Sequence, residues 1–149
     1  MKAILLPVLL LCAAHLSAQT PAQNPSQQNA FDDRAASRML LQLSEALQGH
    51  SQKQLLALFD LGKMKDGTLF RHQIESFFSQ TESIRVHMNL IEVATEAEKI
   101  TVSVDAEMEI EPRNGGPAVR RNDRLNFVVV SAKDWKFVDL LPRSFFSLP

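Results

Sequence analysis

Arg120–Leu141, RRNDRLNFVVVSAKDWKFVDLL, is the stretch whose reading decides the fold. Leu125, Phe127 and Val129 alternate with Asn126, Val128 and Val130, and Trp135, Phe137 and Asp139 alternate with Lys136, Val138 and Leu140. A period of two marks a strand, because successive side chains leave opposite faces of the pleat. Ser131–Asp134, between the two runs, has little β character and suits a turn. The pair reads as a hairpin. Apolar residues on both faces predict that both strands are central and covered on both sides.

Upstream, Thr101–Ile110 has the cleanest alternation in the chain. Val102, Val104, Ala106, Met108 and Ile110 share one face, and Thr101, Ser103, Asp105, Glu107 and Glu109 share the other. That is a sheet with one buried and one wet face. PRNGGP (112–117) joins this strand to the hairpin, and its Asn-Gly is a strong turn signal, since the favoured hairpin turns need positive φ. A turn at Asn114-Gly115 sets Asp105 opposite Arg124 and Glu109 opposite Arg120. Such cross-strand pairs contribute roughly 0.2–1 kcal/mol each, on a face that reads as solvated. The same register sets Arg121 opposite Met108 and Asp123 opposite Ala106, on the face that carries Val102, Val104, Leu125 and Phe127. A charge on an apolar face must be paired or wet. Three outcomes satisfy this: a bulge that flips the register, a position at the open end of the sheet, or a polar patch in a ligand pocket.

Further toward the N-terminus the period becomes helical. Ala36, Leu40, Leu43 and Leu47 form one stripe after a capping Asp32 or Asp33, and Gly49 stops it. Ser51 and Gln54 fit a capping box for a second helix that ends before Gly62. A third helix is expected over 68–79, capped by Asp66 or Thr68, with Phe70, Ile74, Phe77 and Phe78 buried and Arg71, His72, Gln73 and Glu75 outward. From Ser83 the period is two again, with Ile84, Val86, Met88 and Leu90 alternating with Arg85, His87 and Asn89. Glu96–Lys99 makes the turn into the next strand. Helices followed by strands argue α+β.

The first residues fit a secretory signal peptide: Lys2, an apolar run from Ile4 to Leu11, then Ala13, Ala14, Ser17 and Ala18. Cleavage is expected after Ala18, with Ala14 the next choice. The run is too short to span a bilayer of roughly 30 Å. Leu11 precedes Cys12, where lipidation would want a small residue. Cys12 is the chain's single cysteine, so cleavage leaves neither disulfide nor thiolate. QTPAQNPSQQNA (19–30) lacks large apolar residues and reads as a disordered tether. The expected organisation is leader 1–18, tether 19–30 and one domain over 31–149, in an exported protein, periplasmic or extracellular. A net charge of −1 argues against a nucleic-acid partner. With no second long apolar stretch, no stable membrane insertion is expected after cleavage.

No metal-spaced His pair, HExxH, GxGxxG, phosphate loop or GxSxG occurs, so neither metal nor cofactor is expected. His50 and His72 read as exposed. The tail carries Phe145 and Phe146, and at least one is expected to dock, closing a mouth or covering a sheet edge.

Three helices followed by long antiparallel strands resemble the nuclear transport factor 2-like superfamily, in the branch similar to polyketide cyclases and ketosteroid isomerases. The residues that carry this are FFSQTESIRV (77–86), ITVSVDAEMEI (100–110) and KDWKFVDLLP (133–142). The likeness covers about Asp32 to Phe146. It implies a cone: three N-terminal helices packed in a curved antiparallel sheet of about four long strands, with a pocket. In an enzyme of this kind it implies an Asp or His base inside the cone, and in the isomerases a Tyr and a protonated Asp as oxyanion donors. This chain has no Tyr. Asp123 and His87 are the candidate bases, and neither matches a family motif. The candidate ligand-binding set is Arg121, Asp123, His87, Phe127 and Met108. The expected function is noncatalytic binding of a small apolar molecule or a partner. The alternatives are an isomerase or dehydratase, with Asp123 or His87 as general base and Arg121 stabilising negative charge, and a homodimer formed through the sheet.

Overall fold

The structure is a computed structural model that describes residues 30–131 and 133–148. The expected leader, Cys12 and the expected tether up to Asn29 lie outside the described residues. Phe31–Pro149 forms one compact unit.

Helix α1 spans Asp33–Gln48. Asp32 caps it: its Oδ1 accepts from the Ala35 N–H at 2.8 Å. Ala36, Leu40, Leu43 and Leu47 are all buried, as their spacing requires. Helix α2, Gln52–Ala57, starts at Ser51, whose hydroxyl accepts from Gln54 N–H at 3.4 Å. It stops earlier than expected because Leu58–Asp60 turn away to pair with a strand. Helix α3, Gly67–Gln80, buries Phe70, Ile74, Phe77 and Phe78. Neither expected cap is made: Asp66 occupies the N-cap position at φ 58° and its side chain bonds nothing there. Gly67 is fixed by a close approach, since a Cβ would overlap the Leu61 carbonyl.

Strands β1 (Thr81–Glu96), β2 (Lys99–Pro112), β3 (Val119–Ser131) and β4 (Trp135–Leu141) form one antiparallel sheet in the order β1-β2-β3-β4. The β2–β3 register is the one read from the Asn114-Gly115 turn: Asp105 faces Arg124, Ala106 faces Asp123, Met108 faces Arg121 and Glu109 faces Arg120. Gly115 takes φ 75°, which the turn needs.

One expectation is corrected. β3 is central, but β4 is an edge, and the outer residues Val128, Val130 and Val138 are only half-buried. Two-faced apolarity here reports something other than a second neighbouring strand. The free edge of β4 is covered by Leu58–Asp60: Phe137 N–H donates to Leu58 O at 2.9 Å, and Asp60 N–H donates to Phe137 O at 2.8 Å. That contact satisfies backbone groups an edge would leave open.

The inner face of the sheet holds the core against α1 and α3. Its centre is aromatic. Phe127 lies 4.6 Å from Phe137, which lies 5.3 Å from Phe59, which lies 4.8 Å from Phe70, ring centroid to ring centroid. Burying each such ring contributes about 1.5–3 kcal/mol. The chain then turns through a cis Leu141–Pro142 peptide into a single 3-10 turn, Arg143–Phe146. That turn puts Phe145 and Phe146 at 0% exposure.

Candidate functional site: a closed cone mouth and a charged outer face

Arg121 and Asp123 stay on the inner face, with no bulge between β2 and β3 to turn them out. They lie on the half of β3 beyond Asn126, the last residue that β4 pairs. The register-flipping bulge is therefore absent, and both residues stand at the open end of the sheet. The C-terminal turn meets that end. Arg121 Nη1 donates to the carbonyls of Ser144 and Phe145. From α3, Gln73 Nε2 donates to Arg143 O at 2.6 Å and to Phe146 O at 3.2 Å. The Arg143 guanidinium donates to Lys65 O at 2.8 Å and to Asp139 Oδ1 at 3.0 Å. A helical turn leaves its last carbonyls short of partners; here Gln73 supplies those of Arg143 and Phe146, and Arg121 supplies that of Phe145 and joins Ser147 at that of Ser144.

Arg121 and Asp123 are half-buried at the mouth. Asp123 makes no side-chain hydrogen bond among the described residues. Met108 and Phe127 sit deeper, in the packed core. His87 lies on the opposite face of the sheet, exposed and facing Glu107 across the β1–β2 ladder. The structure gathers four of the five candidates on the inner face and separates the fifth. His87 and Asp123 do not line one pocket.

The outer face is a field of ion pairs. Glu109 accepts from Arg85 at 3.0 Å and from Arg120 at 2.6 Å. Arg124 meets Asp105 in a two-point contact at 2.8 and 3.2 Å. The Arg124 hydrogen bond holds the Asp105 carboxyl below the usual carboxylate range, and the same bond raises the Arg124 guanidinium. A depression of about 470 Å³ opens over this face, lined by Arg85, His87, Glu107, Glu109, Arg120 and Asn122 among others. No group of three His, Cys, Asp or Glu side chains is placed to hold a metal among the described residues. No described helix is long and apolar enough to cross a membrane.

Sequence reasoning missed one polar residue and misread two others. Gln73 was expected outward, yet it clamps the tail, and Arg143 was passed over. His50 was expected to be exposed. It is half-buried at φ 54°, with Nε2 at 2.9 Å from Thr81 O and 3.3 Å from Phe78 O, tying the α1–α2 corner to the start of β1. The available signal for Gln73 was its place between Phe70 and Ile74, on the flank of the apolar stripe.

No family model matches this chain, and no curated protein matches it. Solved structures do. A nuclear transport factor 2-like superfamily protein from Salmonella enterica serovar Typhimurium LT2 superposes with a TM-score of 0.61 at 9% identity, covering 72% of this chain and 86% of its own. The chain has the nuclear transport factor 2-like fold. A provisionally assigned scytalone dehydratase from Novosphingobium aromaticivorans DSM 12444 superposes with a TM-score of 0.64 at 17% identity, covering 72% and 79% of the two chains. A ketosteroid isomerase-like protein from Erwinia carotovora atroseptica SCRI1043 gives 0.57 at 14% identity, covering 74% and 95%. Identities this low carry the nuclear transport factor 2-like architecture and nothing of the chemistry.

Proposed function

We propose that this chain is an exported, noncatalytic binding domain that uses a nuclear transport factor 2-like cone closed by its own tail. Phe145 and Phe146 complete the core, and the polar groups Arg121 and Gln73 are engaged with tail carbonyls. A cone filled in this way offers a partner its outer surfaces rather than an enclosed pocket. The signal-peptide pattern of residues 1–18 supports export.

A second reading keeps the cone as an enzyme pocket of isomerase or dehydratase type. One observation favours it: the Asp123 carboxylate faces inward at the mouth beside Arg121, and neighbours by fold include provisionally assigned dehydratases. It requires the tail to leave before a substrate enters.

The two readings are separated by titrating an environment-sensitive apolar dye into the native protein and into Phe146→Ala. The closed cone predicts no saturable binding to native protein and a gain in the variant. Stoichiometric uptake by native protein, with the tail intact, would overturn the closed-cone reading. Absence of turnover of aromatic hydroxy-ketone substrates by both the native protein and Phe146→Ala would remove the enzyme reading, and turnover left unchanged by Asp123→Asn would remove Asp123 as its base.

A further inference from the structure

On the outer sheet face Arg85 and Arg120 are held by Glu109, and Arg124 by Asp105. A second depression, of about 390 Å³, holds its cations differently. It opens where three segments meet: the edge cover with Phe59, Asp60 and Leu61, helix α3 with Arg71, and the β3–β4 turn with Lys133, Asp134 and Lys136. None of these residues belongs to the cone mouth.

The charges around this depression do not cancel. Asp60 is already balanced: Lys63 donates its backbone N–H to Asp60 Oδ1 at 3.2 Å and places its ammonium 3.7 Å from Oδ2. Three cations then face one remaining carboxylate, Asp134. The excess is two positive charges, in a chain whose net charge is −1. Lys136 Nζ donates to the Ala57 carbonyl, which leaves two of its three N–H donors open. Arg71 and Lys133 are exposed, and neither makes a side-chain hydrogen bond or ion pair among the described residues. Like charges on one concave surface repel until an anion joins them, and the low-dielectric wall focuses their field on that anion. Ala57, Phe59 and Leu61 supply an apolar wall.

We infer that this depression binds a small organic phosphate monoester. The charge fits, because a monoester group carries about −1.5 to −2 near pH 7. The donors fit as well. The Arg71 guanidinium offers a planar fork that matches two phosphate oxygens, and the Lys133 and Lys136 ammoniums act as point charges toward the same group. Leu61 and Ala57 receive the apolar part of the ligand, and Asp134 is left to accept from a hydroxyl. The volume suits a small molecule, whose sites begin at about 300 Å³. The site stands whether or not the cone is closed, so this inference and the closed-cone reading fail separately.

Calorimetric titration of the native protein with phenyl phosphate is the test. Saturable binding at a single site is expected. Inorganic phosphate binds more weakly because it leaves the apolar wall untouched, and succinate binds more weakly because its charges sit on two separated carboxylates. Arg71→Gln and Lys133→Gln change exposed side chains that have no partner among the described residues, so each variant keeps its circular dichroism spectrum. Each weakens phenyl phosphate binding by about tenfold or more, the loss expected for one charge-assisted contact. Arg124→Gln removes the same charge from the outer sheet face and leaves the affinity unchanged. Absence of saturable heat at millimolar phenyl phosphate overturns the inference. So does binding that survives both Arg71→Gln and Lys133→Gln, or that falls equally in Arg124→Gln, which would mark attraction to the overall charge. Inorganic phosphate or succinate binding as tightly as phenyl phosphate overturns the assignment of a monoester.

Discussion

The inner and outer faces of the β2–β3 ladder carry arginines in one register, three residues or fewer from one to the next, and use them in different ways. Outside, the exposed Arg120 and Arg124 meet Glu109 and Asp105. Inside, Arg121 has no carboxylate partner among the described residues and donates to the backbone carbonyls of the tail. The outer arginines neutralise charge on a face that would be solvated without them. The inner arginine positions a chain segment that brings two phenylalanines into the core. An alternating sequence assigns a residue to a face, but the available partners decide its role. Arg121 serves structure because the sheet ends beside it and a C-terminal turn with carbonyls open to further donors fills the space.

That contrast predicts a ranking of substitutions. Phe146→Ala, at the inner end, carries the largest expected cost. Phe146 packs edge-on to Phe70, Phe77 and Phe145 with centroids 5.3–6.3 Å apart. Truncating a buried Phe costs about 3–5 kcal/mol, as lost burial plus the cavity left behind. Urea unfolding monitored at Trp135 measures it. A midpoint shifted by no more than the outer-face variants would mean that the tail is ornamental. Arg121→Ala comes next. It removes charge-assisted hydrogen bonds to two carbonyls, each of the kind that contributes about 1.5–3 kcal/mol. Arg121→Lys should recover only part of this, because an ammonium lacks the planar fork. Limited proteolysis provides the local readout, with cleavage after Arg143 expected to accelerate in Arg121→Ala and to stay slow in Arg124→Ala.

Most of the fold was legible because periodicity and turn chemistry were strong and local. The Asn114-Gly115 turn fixed an eleven-pair register, and with it the faces of Arg121 and Asp123. The stripe Ala36, Leu40, Leu43, Leu47 predicted the buried side of α1. What escaped the sequence depended on long-range neighbours. Leu58–Asp60 leave α2 for β4, 77 positions away from Asp60 to Phe137, and nothing in LLALFD announces an edge cover. The half-buried Val128, Val130 and Val138 looked like a covered second face and belong to an outer surface. His87 could not be assigned to a face until β2 stood beside it. Gln73 looked outward because a tail arriving from 70 residues away leaves no mark on helical spacing.

The smallest expected effect sharpens the comparison through pH. The Arg124 hydrogen bond holds the Asp105 carboxyl below its ordinary value. A carboxylate with a depressed folded pKa adds stability above its unfolded pKa of about 3.9 and loses it as pH falls through the folded value. The pair is exposed, so the contribution is small and screened by salt. Asp105→Asn should therefore lower Tm slightly at neutral pH and low salt. The difference from the unsubstituted protein should narrow as pH falls from about 3.9 downward, and it should also narrow in molar salt at neutral pH. Arg121 makes the opposite forecast over the same range. Its acceptors are carbonyls, which bind no proton in this window, so the Arg121→Ala deficit should stay constant as Asp105 titrates. Thermal scans of both variants across that acid range discriminate the two faces. A deficit that shrinks for Arg121→Ala as well would reveal a carboxylate partner for the inner arginine, and Asp123, on the same face of the same strand, would be the residue to substitute next.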